Sequence, residues 1–441
     1  MGDTKNTLPI PAYGGYLHSM PRWYRLDNAG KLYPAISSAR RTTVFRLSAD
    51  LSATVHAGRL QEALTNLMPR FPYFSVHLKG GVFWYSLDSS QHTVQLERDS
   101  RYPCMNFPLH RRGLFPFRVR CWRNRVAVEF SHILSDGTGA LIFLKSLLAE
   151  YLHLEGVKRE DCKGLPVPGE RMRKGEDEDA FRRFGNPLLP SPALLDPAFR
   201  LPLSLERPGF YKITTGIIPL EILKKRSRDY GLSITEFLIA VMLDSYQSML
   251  LDMPSGLRKK VIAPIRLNIP VNLRRFWYSP TYRNFFVSID PEIDPRLGVW
   301  SFDEIISSTR HYMMYETNRH RLAGRMSRNL RGERNPLARI IPLPIKNIVL
   351  PQLYSLFAEK YYTSGLSNLG MVDMPPHLSP FIKRFDFIPP PARGEKVKAS
   401  LIGWNDKVHL SFGRLIRPAI SELYVFRRLV NMGIPVKVEG N

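Results

Sequence analysis

The stretch Ser131-His132-Ile133-Leu134-Ser135-Asp136-Gly137 joins an apolar strand to an amphipathic helix, and its reading decides the fold. Before it, residues 125–130 alternate so that Val126, Val128, Phe130 and His132 share one face, the period of a β-strand. After it, Leu141, Leu144, Leu148 and Tyr151 recur at helical spacing, opposite Lys145, Ser146 and Glu150. An ionisable imidazole therefore sits at the end of a buried strand, beside the N-terminus of a helix. Asp136 stands where such a helix is capped, and Gly137 leaves room for a ligand or for the helix start.

The pattern H-x-x-x-D-G is expected by chance in roughly one chain in thirty of this size, and the strand-to-helix junction adds weight to it. Burial disfavours the imidazolium, so His132 is expected to be neutral near pH 7 and able to take a proton from a hydroxyl or an amine, as a general base does. Asp136 need not relay charge. In a tight turn it can point away from the ring and fix the loop by pairing with a buried arginine, for which Arg274 is the candidate. Around Arg274, Ile265, Leu267, Ile269, Val271 and Leu273 alternate with Arg266, Asn268, Pro270, Asn272 and Arg274, so a strand over 261–274 would carry both arginines on one polar face. No third ligand accompanies His132 and Asp136, so no metal is expected there.

Outward from this stretch, the first half reads as a strand at 42–47, a helix at 56–67, and hairpins at 75–87 and 117–130. Residues 157–193 are charged and proline-rich, and are expected to be an exposed, mobile linker between a first subdomain (1–156) and a second (194–441). The second half reads as a strand at 211–218, helices at 220–229 and 235–250, the arginine-bearing strand, a strand at 284–289 and a helix at 302–326. Residues 340–357 are apolar but broken by Pro342, Pro344, Lys346, Asn347 and Pro351, and read as a buried or interfacial helix with a broken start. Strands at 361–368, 384–387, 397–403 and 408–412 and a helix at 420–430 close the chain. Strands mixed with helices in both halves, with hairpins present, predict an α/β (α+β) fold with mixed sheets rather than a parallel barrel.

Composition bounds the function. With 441 residues, 44% of them hydrophobic and 23% charged, the chain can bury substantial cores. Three cysteines, Cys104, Cys121 and Cys162, without metal spacing suit a reducing cytoplasm. Met1 to Asn6 shows neither a secretory signal nor, with Asn6 at the required Ser/Thr position, a myristoylation signal. The net charge of +24 favours anionic partners: nucleic acid, anionic lipid, a phosphorylated cofactor or an acidic carrier protein. Zinc-finger spacing, RNP-like aromatic strands and a basic zipper are all absent, so nucleic acid is not the expected partner.

The motif Ser131–Gly137 resembles the active-site signature of the chloramphenicol-acetyltransferase-like superfamily, which includes alcohol acetyltransferases, plant BAHD acyltransferases, polyketide-associated acyltransferases and nonribosomal peptide condensation domains. Pro270-Val271-Asn272-Leu273-Arg274-Arg275 and Arg283-Asn284-Phe285-Phe286-Val287 resemble its second-domain arginine strand and the segment after it, and Ser367-Asn368-Leu369-Gly370 its facing tunnel wall. The chain departs from condensation domains in carrying Ser131 where they have a second histidine, and it lacks the D-F-G-W-G segment of BAHD enzymes, echoed only by Gly403-Trp404-Asn405. The alcohol-acetyltransferase-like branch is nearest.

This resemblance implies two similar subdomains with mixed sheets flanked by helices, a tunnel between them, and His132 near its middle. It further implies transfer of an acyl group from acyl-CoA or an acyl carrier protein to an alcohol, without a covalent enzyme intermediate, with Ser367 or Asn368 as candidates for the oxyanion. The alternatives are a freestanding condensation-like amide synthase, a non-catalytic carrier-protein binding module of the same fold, and a basic peripheral membrane protein handling lipid alcohols.

Overall fold

The computed structural model describes residues 23–108, 113–160, 162, 164–190, 192, 195–334, 340–357 and 359–441. Gly2 and Asn6, on which the reading of the N-terminus rests, lie outside them.

The strand that delivers His132, Arg125–Ser131, is the centre of a five-stranded sheet ordered Ile382–Ile388, Val44–Leu51, Arg125–Ser131, Phe117–Trp122, Leu96–Arg98. Phe130 stands opposite Phe45 on one neighbour and Phe117 on the other, and these rings stack into the first core. The outer strand Leu96–Arg98 runs parallel to its neighbour and the others antiparallel, so the sheet is mixed. Helix Gly137–Leu154 packs on this sheet through Phe143, Leu144, Leu147 and Leu148, all fully buried.

The second sheet runs Phe286–Ile289, Ile265–Asn272, Ser364–Met371, Val397–Trp404, Lys407–Arg414, Lys212–Pro219, Lys437–Gly440, with Glu292–Ile293 also on Ile265–Asn272. Ser364–Met371 is parallel to both its neighbours and the rest are antiparallel. The fold is thus mixed α/β, two mixed sheets flanked by helices, with a small third sheet of Trp23–Arg25, Tyr85–Ser89 and Val76–Gly80. Helix Ile234–Leu251 starts with the capping box of Ser233 and Glu236. Its mean hydropathy of 1.3 would let it cross a bilayer, but 67% of it is buried and it forms the centre of the second core.

The sheets do not follow a single cut in the sequence. Strand Ile382–Ile388 comes from the second half of the chain yet pairs with Val44–Leu51, Ile382 opposite Leu51 and Ile388 opposite Arg46. Phe385, Phe387 and Trp404 accordingly pack in the same core as Phe45, Phe74 and Leu144. Trp404 ends a hairpin whose turn has Asn405 at φ 51°, and its indole N–H donates to the Ile382 carbonyl at 3.1 Å.

Three expectations need correction. Within the stretch expected to be an exposed, mobile linker, Glu176 is held inside the fold: it is buried and receives two hydrogen bonds from fully buried Arg70, at 2.6 and 2.8 Å, and one from the Tyr282 hydroxyl at 2.7 Å. The charge that made this segment look solvated instead neutralises a buried arginine. The helix expected over 302–326 is two, Phe302–Glu316 and Arg319–Arg334, because Glu316 turns inward at the junction to hold Arg321 and Arg325 at 2.6 and 2.9 Å. The strand expected over 261–274 is confined to Ile265–Asn272, between helix Ser255–Val261 and a 3-10 turn. Its arginines do not share a face: Arg266 is buried against Glu292 and the carbonyls of Asp196 and Tyr361, while Arg274 lies beyond the strand end and turns toward Asp136.

Candidate active site

The motif turn is held from both sides. Asp136 caps helix Gly137–Leu154, its Oδ1 accepting from the backbone N–H of Thr138 at 3.1 Å and of Gly139 at 3.2 Å. Its Oδ2 accepts from Arg274 Nη1 at 2.8 Å and from the Phe285 N–H at 2.9 Å. Arg274 is itself anchored, donating to the carbonyls of Thr281 and Arg283. One carboxylate thus ties the helix start of the first half to residues 281–285 of the second. The Ser135 hydroxyl adds a bond to the Tyr282 carbonyl at 2.5 Å. Gly139 lies so close to that carbonyl that a Cβ would overlap it, and a Cβ on Gly137 would stand 2.8 Å from Leu369 Cδ2. Both glycines let the halves approach.

His132 occupies the position this turn creates, its ring 4.7 Å from that of Phe45, 5.6 Å from Tyr33 and 5.7 Å from Phe286. Asn284, quoted in the sequence without a role, is its polar partner. The Asn284 amide donates to Asp27 Oδ2 at 2.9 Å and to the His132 carbonyl at 2.8 Å, which leaves Oδ1 to accept from His132 Nδ1 at 3.2 Å. This network assigns the proton to Nδ1 and so the lone pair to Nε2. Asp27 is fully buried, caps helix Asn28–Ile36 through the Gly30 N–H at 2.6 Å, and has Arg283 Nε at 3.7 Å. The sequence reading assigns Asp27 no role, because nothing local ties it to a histidine more than a hundred residues away.

Burial pushes the His132 imidazole down to about 4, against the opposing pull of the Asn284 bond and the Asp136 charge. Burial likewise raises the Asp27 carboxyl to about 6, with Arg283 opposing. The ring is therefore neutral at pH 7. Activity that uses it is expected to stay level through the ordinary histidine range near about 6.5 and to fall only as pH approaches about 4. A kcat/KM profile with its acid limb at the ordinary value would contradict this. Stability has the matching sign: between the unfolded and folded values the unfolded chain binds the extra proton, so the His132 contribution is lost as pH falls. Asp27 works the other way below about 6.

His132, Asp136 and Gly137 line a cavity of about 780 Å³ between the two halves. Strand Ser364–Met371 brings Ser367 and Asn368 into the same wall. The Asn368 amide is engaged, donating to Thr235 Oγ1 at 2.8 Å while its oxygen accepts from the Gly370 N–H at 2.7 Å. The Ser367 hydroxyl has no hydrogen-bond partner among the described residues. Arg274 is set behind the wall, and the neighbouring Arg275 lines it with Arg310. Both of these are exposed and without an ion-pair partner among the described residues.

No protein-family model and no curated protein matches the sequence. Solved structures do match the architecture. The trichothecene 15-O-acetyltransferase from Fusarium sporotrichioides is similar over 96% of this chain and 99% of its own, with a TM-score of 0.58 and 11% identity. Polyketide synthase associated protein 5 from Mycobacterium tuberculosis is similar over 92% and 97%, with a TM-score of 0.57 and 13% identity. The starter condensation domain of rhizomide synthetase is similar over 93% and 95%, with a TM-score of 0.53 and 10% identity. The chain has the chloramphenicol-acetyltransferase-like fold. The cavity beside His132 lies between the two mixed sheets of this fold.

Proposed function

We propose that the protein is an acyltransferase that moves an acyl group from a CoA or carrier-protein thioester to an alcohol, with His132 as general base. The observation that carries this is a neutral imidazole, its Nδ1 proton committed to Asn284, in the wall of a cavity of about 780 Å³. His132 Nε2 takes the proton of the acceptor hydroxyl as its oxygen attacks the thioester carbonyl. A tetrahedral oxyanion forms, and its collapse breaks the C–S bond. The imidazolium returns the proton to the leaving thiolate, and the products are an ester and a free thiol.

Of the two oxyanion candidates, Ser367 is favoured because its hydroxyl is uncommitted, while the Asn368 amide is held by Thr235. Arg275 and Arg310, without an ion-pair partner among the described residues, offer charge for the phosphates of CoA or the phosphopantetheine of a carrier. Asn284, Asp27 and Arg274 are positioning residues. An alcohol is favoured over an amine because the residue before His132 is a serine whose hydroxyl is spent inside the fold, 3.1 Å from Thr43 Oγ1. Three cysteines with no disulfide between them fit a cytoplasmic setting.

The test is release of free thiol from a series of acyl-CoA donors, with alcohols and amines offered side by side. Thiol release that requires an alcohol and yields an ester is the expected result. Amide formation alone would instead identify a condensation-like amide synthase, and binding of an acidic carrier protein with no transfer to either acceptor a non-catalytic module.

A further inference from the structure

We infer that helix Leu343–Phe357, together with the loop at residues 81–84, docks this protein on an anionic lipid bilayer. The helix carries one charged residue, Lys346, and it is turned inward: its ammonium donates to the Phe83 carbonyl at 2.8 Å and lies 3.5 Å from the centre of the Trp84 ring. The Leu343 N–H donates to the Val82 carbonyl at 2.8 Å, and the Asn347 amide to the Tyr85 hydroxyl at 2.8 Å. Helix and loop therefore form one surface. Its outward side is apolar, with Ile348 exposed by 71%, Val82 by 70% and Ile340 by 67%, and with Phe83, Ile345 and Leu353 exposed around them. The expected hairpin at 75–87 places Val82 in a strand, whereas the strands are Val76–Gly80 and Tyr85–Ser89 and Val82 stands in the loop between them.

A soluble surface rarely leaves such a group of large side chains uncovered unless something else covers it. Charge selects the occupant. Residues 319–357 hold seven arginines and one lysine against a single glutamate; Lys346 and Arg325 are buried and Arg321 pairs with Glu316, so the attraction rests on the remaining arginines and on the +24 of the whole chain. That charge repels a second copy of the chain and draws the protein to acidic headgroups, while the apolar side chains enter the headgroup boundary as those of an interfacial helix do.

The same helix reaches the cavity. Tyr354 lines it under the Arg41 guanidinium, 5.0 Å from the ring centre, and Tyr33 and Ile36 line it from helix Asn28–Ile36, which packs alongside. An apolar molecule leaving the bilayer at this helix meets the cavity wall. That apolar, bilayer-dissolved alcohols or acyl donors are the substrates rests on the acyl-transfer reading; the docking does not.

The full chain is tested by sedimentation with vesicles of phosphatidylcholine containing about 30 mol% phosphatidylserine, and with phosphatidylcholine alone. The protein is expected to pellet with the anionic vesicles, and raised salt to release it. A V82D/I348D variant is expected to lose at least about tenfold in partitioning. Both positions are exposed and neither lines the cavity, so its circular dichroism and its thiol release from a water-soluble donor are expected to match wild type. His132→Ala is expected to pellet as wild type does, which separates docking from chemistry. Wild-type protein left in the supernatant, or a variant that pellets undiminished, would overturn the assignment. So would a solution dimer that the variant dissolves in the absence of vesicle binding, which would give this face to a second copy.

Discussion

Replacing His132 with alanine is expected to lower acyl transfer by about 10²–10⁴-fold, the range a positioned general base supplies. The loss should fall on kcat, since the ring supplies the base but is only one of many cavity-lining groups. Near-UV circular dichroism and gel filtration should show a native fold, because Phe45, Tyr33 and Phe286 still close around the site. Asn284→Ala provides the companion measurement. It leaves the imidazole in place but frees its tautomer, so kcat should fall while KM holds and the acid limb of the pH profile shifts. Turnover in His132→Ala within about threefold of wild type would remove the base from the mechanism.

Asp136→Ala is expected to cost about 3–5 kcal/mol of stability, because it strands the Arg274 guanidinium among backbone carbonyls without a counter-charge. The lost helix cap and the unpaired Phe285 N–H add to that cost. Activity should fall with stability, since the same carboxylate holds the motif turn against residues 281–285. Asp136→Asn keeps an acceptor for the cap while losing the charge, and should lie between the two. The double variant Asp136→Ala/Arg274→Met should recover part of the loss, because no buried charge is then left alone. Chemical denaturation reads all three variants. An alanine variant as stable as wild type would show that the pair does not hold the halves together.

How much of this was legible in the sequence depends on the reach of each interaction. His132 at a buried strand end, Asp136 at the helix cap and the capping box at Ser233 are set by hydrogen bonds and periodicities spanning a few residues, so a short window contains all the physics that decides them. The Asp136–Arg274 pair was legible for a further reason. Arg274 stands in an apolar alternating stretch, and a carboxylate at a tight turn needs a partner. The same logic failed for Arg266, which stands in that stretch but is satisfied by Glu292 and two carbonyls.

By itself, then, the sequence determined the local geometry of the motif, the α/β class and the excess of positive charge. Only the tertiary structure decided that Asn284 and Asp27 orient the imidazole, that Glu176 of a seeming linker neutralises Arg70, and that strand Ile382–Ile388 joins the first sheet. It alone turned Lys346 inward and left the face of its helix bare. The physical reason is common to these cases. A buried polar or charged group must be paired, but many residues of the chain could serve as partner, and packing over a hundred or more residues selects among them.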